Sequence, residues 1–173
     1  MDQIIQQFLK MTFQGDSFGV SRILDCYPQL VRGITSESGQ TPLTISLRYL
    51  NVTQLLLNRG ADVNEVDGHG WTSLFHAAWS GNAQAIEFLV SHGAIVDFRD
   101  SLGSTPLLCA CHEGSLPAVQ MLVSLGADPS VRCSFGYSAL IYASMKNHSD
   151  VIKWLCEACP SVSQILSSTN CDG

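Results

Sequence analysis

The chain has 173 residues, of which 46% are apolar and 14% charged, and its formal net charge is −6. That length and composition exclude a disordered chain and suffice for one domain burying roughly 70% of its unfolded surface. The acidic balance and the lack of a long Lys/Arg run argue against nucleic-acid or anionic-membrane binding, and no apolar run is long enough to span a bilayer.

Residues 1–35 are predicted to form a degenerate helical pair at one end. Asp2 can cap a helix whose apolar residues are Ile4, Ile5, Phe8, Leu9, Met11 and Phe13, with Gln3, Gln6, Gln7 and Lys10 on an outer face. Gly15-Asp16 breaks it, a second helix turns Val20, Ile23 and Leu24 inward, and Pro28 ends that helix. The first residues lack a basic region followed by a continuous apolar core, so they do not read as a secretory signal.

From residue 36 a helix–turn–helix frame recurs. In 36–66 the apolar face is Leu43, Leu47, Val52, Leu55 and Leu56. This unit is two residues short between Thr41 and Gly60, and Leu50-Asn51 stands where a glycine would separate the helices. Either the turn is tighter or the first helix ends early.

Units 67–99 and 100–132 are regular. Thr72 and Thr105 can cap the first helix, Pro106 suits its first turn, and Ala77, Ala78, Ala110 and Cys111 allow close packing. Gly81 and Gly114 permit the reversal between helices, and Gly93 and Gly126 end the second helix. In 133–160, Asn147 replaces the inter-helix glycine, and Cys159-Pro160 replaces Gly-Ala. The tail 161–173 is polar, yet Asn170–Gly173 resembles the lead-in at Asp67–Gly70, and Trp154 and Cys156 are too apolar for a final cap. A longer parent with further repeats is expected.

Several positions share one interval of thirty-three residues: Gly70, Gly103 and Gly136; Thr72, Thr105 and Ser138; Leu74, Leu107 and Leu140; Leu89, Leu122 and Leu155. Such a period is the mark of a solenoid. Gly-x-Thr-Pro-Leu at Gly39–Leu43 and Gly103–Leu107, His76-Ala77-Ala78, and Gly-Ala-Asp at Gly60–Asp62 and Gly126–Asp128 complete a pattern that resembles the ankyrin-repeat family. The resemblance runs from about Met1 to Cys159 and implies an all-α solenoid of helix pairs with short β-hairpin fingers. Its ends need polar caps, since no neighbour covers them.

Few residues invite a chemical reading. Cys109-x-Cys111 and Cys156-x-x-Cys159 have zinc-like spacing, but they fall on helix positions that such a stack fills with small apolar residues, so buried free thiols are the expectation. Seven cysteines, an odd number, fit a reducing compartment; an intracellular location, cytoplasmic or nuclear, is expected. His69, His76, His92, His112 and His148 form no paired ligand motif, and Cys111-His112 point about 100° apart on a helix and cannot act as a dyad. His148, beside an inter-helix turn, reads as a structural hydrogen-bond partner. Asp67 and Asp100 recur with the frame and are expected to tighten fingers by accepting backbone N–H bonds. Leu56, Asp62, Val63 and Asn64 resemble the ankyrin segment modified by a cytosolic asparaginyl hydroxylase, which would make Asn64 a substrate; the other reading is that Asn64 tightens its turn.

The resemblance assigns the concave surface to finger tips and the exposed side of each first helix. It places there His69, Trp71, Trp79 and Ser80; Ser101, Leu102, Ser104, His112 and Glu113; Ser134, Phe135, Tyr137, Met145 and Lys146; and Glu37, Gln40, Arg48 and Tyr49 from the short unit. Arg99 and Arg132 stand at finger bases. This many aromatic residues on one face fits a binding surface, since interface cores are rich in Trp, Tyr and Met; packing of Trp71 and Tyr137 on adjacent fingers is the alternative. The expected function is protein–protein recognition by a scaffold or adaptor, with no catalysis, metal or cofactor. The partner segment would carry apolar anchors and some acidic character. A regulatory or targeting region of a larger enzyme or membrane protein would look the same. A small-molecule sensor fits least, because solenoid grooves are open.

Overall fold

A computed structural model of the chain describes residues 1–159; Pro160 and the tail 161–173, with its expected lead-in, lie outside the described residues. The helices are α1 (Asp2–Gln14), α2 (Ser17–Cys26), α3 (Pro42–Ser46), α4 (Leu50–Asn58), α5 (Ser73–Trp79), α6 (Ala83–Ser91), α7 (Pro106–Glu113), α8 (Leu116–Ser124), α9 (Ala139–Met145) and α10 (Ser149–Ala158), with a 3-10 turn at Pro28–Val31. They form successive antiparallel pairs. The first helices stack in the order α1, α3, α5, α7, α9, while α2 packs on α4, α6 on α8, and α8 on α10. The result is the all-α repeat stack that the resemblance implies.

The first helices α3, α7 and α9 each begin at a side-chain cap. The hydroxyls of Thr41, Thr105 and Ser138 accept the N–H groups of Thr44 (3.2 Å), Leu108 (3.4 Å) and Ile141 (3.5 Å). Pro42 and Pro106 occupy first-turn positions, where their missing N–H costs nothing. Thr72 has the same place, but its buried hydroxyl has no partner. The leucine series meets in one apolar core: Leu74, Leu107, Leu89, Leu122 and Leu155 have no exposed surface, and Leu140 is buried beside them. A polar stitch joins the short unit to its successor, where Thr41, Thr44 and Ser73 share hydroxyl bonds of 3.1 and 3.0 Å.

The fingers repeat closely. Gly70, Gly103 and Gly136 have φ of 77°, 68° and 78°, and their N–H groups reach the carbonyls of Asp67, Asp100 and Cys133 at 2.9, 2.9 and 2.8 Å. Adjacent fingers bond by backbone, Gly68 to Gly39 at 3.0 Å and Ser134 to Leu102 at 2.8 Å. They keep a hairpin shape without a regular ladder: among the described residues the isolated bridge is Arg132–Ser138. The finger is too short for more, and side-chain carboxylates take N–H groups that a ladder would use.

Three local expectations are corrected. Phe13 points outward, 66% exposed, because α1 turns Phe8, Leu9 and Thr12 to the stack; Thr12 can be buried since its hydroxyl donates to the Phe8 carbonyl at 2.8 Å. Met1, not Asp2, is the N-cap of α1, and Asp2 lies inside the first turn, where its charge still favours the helix dipole. Leu50-Asn51 is not the inter-helix turn. The helix α3 stops after five residues and α4 starts at Leu50, so the two missing residues come out of the first helix and Leu47–Tyr49 makes the reversal. Asn147, at φ 59°, adopts the left-handed conformation expected of it.

Candidate functional site

The fingers are built around one side chain each. In the first regular unit, Asp67 Oδ1 accepts the N–H groups of His69 (2.8 Å) and Trp71 (3.0 Å), and Oδ2 meets the His76 ring at 2.6 Å. Burial alone would raise the Asp67 carboxyl; the bonds from Trp71, His76 and His69 outweigh it and hold the group below its ordinary value. Asp100 repeats this, taking the N–H groups of Leu102 (2.9 Å) and Ser104 (2.8 Å) on Oδ1. Its Oδ2 receives the Trp71 indole N–H at 3.2 Å, which ties one finger to the next. Cys133 fills the same place in the last unit, and the Tyr142 hydroxyl donates to its sulfur at 3.6 Å. Burial pushes against a charged Cys133, but the bonds from Tyr142 and the Phe135 and Tyr137 backbone keep the thiol below its ordinary value. Burial pushes Tyr142 up to about 12, with Cys133 adding to the effect.

Above this frame lies a continuous row of rings. Trp71 and Trp79 are 5.6 Å apart, Trp79 stacks on His112 at 6.0 Å, His112 meets Tyr142 at 5.6 Å, Tyr142 meets Tyr137 at 5.7 Å, and Tyr137 meets Phe135 at 6.1 Å. The row crosses three units. Trp79 is 47% exposed, Leu102 51%, Phe135 63% and Met145 58%, so the core does not use them. Trp71 is half-buried, stacked on Phe75 at 5.5 Å, and serves the packing as well as the surface.

Other predicted positions divide. His69, exposed, bridges to the Ser38 carbonyl at 3.2 Å. His112 Nδ1 pairs with Glu113 at 2.6 Å. Tyr49, Arg48 and Lys146 are exposed, and Arg48 borders a depression with Phe13, Trp79 and Ser80. Arg99 and Arg132 are engaged in their fingers: Arg99 donates to the Gly103 and Arg132 carbonyls (3.5 and 3.4 Å) and Arg132 to Gly136 (2.9 Å). Asn64 uses both ends of its amide between units, donating to Gly93 (3.1 Å) and accepting from Ile95 N–H (2.9 Å), so its side chain bridges to the next unit, while within its own turn its N–H is accepted by Asp62 Oδ1 (2.9 Å). His148 Nε2 donates to the His112 carbonyl, 3.0 Å away, as a structural partner.

Tyr142 and Phe13 were missing from the sequence-derived surface. Tyr142 stands one turn before Met145 on α9, so its place on that face was available from helical spacing. Cys109 and Cys111 are buried in α7, and burial raises both thiols, Cys109 to about 12. No group of three or more metal-ligating side chains occurs among the described residues. No described helix is long and apolar enough to cross a membrane.

A family model described as "Ankyrin repeats (3 copies)" matches residues 10–100 and 93–164. Among curated proteins, "Ankyrin repeat and SAM domain-containing protein 6" of Rattus norvegicus is 36% identical over 73 residues, 40% of this chain and 8% of that protein. Its Mus musculus counterpart is 34% identical over 73 residues, with the same two shares. The chain thus spans less than a tenth of the length of these relatives.

Proposed function

The chain belongs to the ankyrin-repeat family, and from that premise we propose that it is a scaffold or adaptor module whose protein partner lies along the row from Trp71 to Phe135. Ankyrin repeats are in general protein–protein interaction modules. The observation that carries the specific surface is the exposure of Trp79, Leu102, Phe135 and Met145 on one face, where the stack gains nothing from them. Rigid aromatic side chains give large contact area at small entropic cost, and such residues dominate interface energetics. Exposed Arg48, beside Trp79, and exposed Lys146, next to Met145 in the chain, are cations that an acidic group on the partner would meet. The surface would serve equally as the regulatory or targeting region of a longer polypeptide, as the length of the curated relatives allows.

Selection from a displayed peptide library against the chain, followed by titration, tests this. Selected peptides should bind at least about thirtyfold more weakly to Trp79→Ala, the loss expected at a hot spot of about 2 kcal/mol. The variant's unfolding should be unchanged. Binders indifferent to Trp79→Ala and to Tyr137→Ala would remove this surface from consideration.

A further inference from the structure

Beneath the finger that follows Asp100 lies a hollow of about 170 Å³ whose walls are rings and whose floor carries a carboxylate. We propose that this hollow receives the alkylated ammonium head of a methylated lysine on the partner segment. The inference rests on the docking surface above and supplies the chemistry of one anchor.

The walls come first. Trp71 and Trp79 are tilted by 45°, Trp79 and His112 by 25°, and His112 and Tyr142 by 78°. The rings therefore make a curved wall, and a compact group placed against it touches several π faces. A cation within about 6 Å of such faces is attracted by their quadrupoles.

The charge on the floor has the complementary sign. Asp100 lines the hollow, and its Oδ2 holds the Trp71 indole at 3.2 Å. After burial, the charges of Glu113 and Asp100 are what push the Cys109 thiol upward, so both carboxylates act on the hollow's base. Neither lysine nor arginine lines it.

The hydrogen-bond inventory selects among cations. Asp100 already accepts three N–H groups, from Leu102, Ser104 and Trp71. A bare ammonium brings three donors that lose water on entry, and Asp100, with three of its roughly four lone-pair sites filled, has room for one of them. Methylation removes donors and adds apolar surface suited to the rings. The volume admits such a head group.

The test uses the full chain, ¹⁵N-labelled, titrated with acetyl-trimethyllysine-methylamide while the tryptophan indole N–H signals are followed. The indoles of Trp71 and Trp79 should move and that of Trp154, on α10, should not. Acetyl-lysine-methylamide, and the neutral analogue with carbon in place of the quaternary nitrogen, should bind about tenfold more weakly. Trp79→Ala should abolish the response and Trp79→Phe retain most of it, with folding read from the same spectra. Equal binding of the neutral analogue would overturn the inference. So would unmoved indoles in a sample where a library-selected peptide does move them, an outcome that leaves the docking surface standing. If neither probe nor peptide moves them, both proposals fall together.

Discussion

Asp67 and its equivalents, Asp100 and Cys133, each hold a finger closed; Asp67 and Cys133 bond the residue nine positions on, His76 and Tyr142, while Asp100 and its counterpart Cys109 line one hollow. The finger-tightening role of the aspartates is legible in the sequence, because a carboxylate at the start of a short turn accepts N–H groups two and four residues ahead. The opposing residue is not, since the nine-residue pairing exists only when the finger folds onto the second turn of the following helix. For Asp67 this arrangement has a pH consequence. Its folded carboxyl lies below the ordinary value, so its contribution is complete above the unfolded value of about 4 and declines as pH falls through the lower, folded one. Asp67→Asn should therefore be less stable than the parent at pH 7, and the gap should narrow between pH 4 and pH 2.5. Denaturant midpoints for both chains across that range check it; a gap that stays constant would show that the Asp67 charge contributes nothing. Phe13 was misplaced for a related reason. Helical spacing alone admits two adjacent apolar faces on α1, and the choice fell to Thr12, a polar residue whose hydroxyl bonds back to the chain.

At the scale of the helix pair, the turn glycines look alike in sequence but differ in what surrounds them. Gly93 has φ 90° and a side chain there would enter open space. Gly114 has φ 73°, and a Cβ would lie 2.3 Å from His148 Nδ1. That ring is held at the His112 carbonyl and cannot retreat without losing the bond. Gly93→Ala should cost about 1 kcal/mol, the left-handed penalty alone, and Gly114→Ala at least about twice that. Equilibrium unfolding of the two variants separates them, and His148→Ala in the Gly114→Ala background should restore part of the loss. The glycine frame placed these turns correctly from sequence. In the short unit the frame was silent about where two residues had been lost, because a deletion from α3 and a tighter turn leave the same spacing from Thr41 to Gly60. Packing decided it: Ser46 and Thr53 bond across the pair at 2.9 Å, which fixes the start of α4 relative to the end of α3.

Across the whole molecule, contacts run from each pair to the next, so stability should be distributed along the stack rather than held in one centre. The middle helices have neighbours on both sides: α7 packs against α5, α8 and α9. The first pair has neighbours on one side, and its link to the next includes an exposed Arg59–Asp25 ion pair at 2.8 Å, worth little in water. Hydrogen exchange of the 173-residue chain should therefore show the slowest amides in α5 to α8 and faster exchange in α1 and α2. Core truncations sharpen the expectation. Phe8 and Leu107 are both fully buried, and replacing either by alanine removes roughly 2–5 kcal/mol of local packing. Phe8→Ala should speed exchange in α1 and α2 while leaving α7 and α8 protected, because the first pair can open without the rest. Leu107→Ala should speed exchange on both sides of α7, because that helix joins the two halves. If Phe8→Ala lowers protection throughout, the chain unfolds as one cooperative unit and the nearest-neighbour account of its stability is wrong.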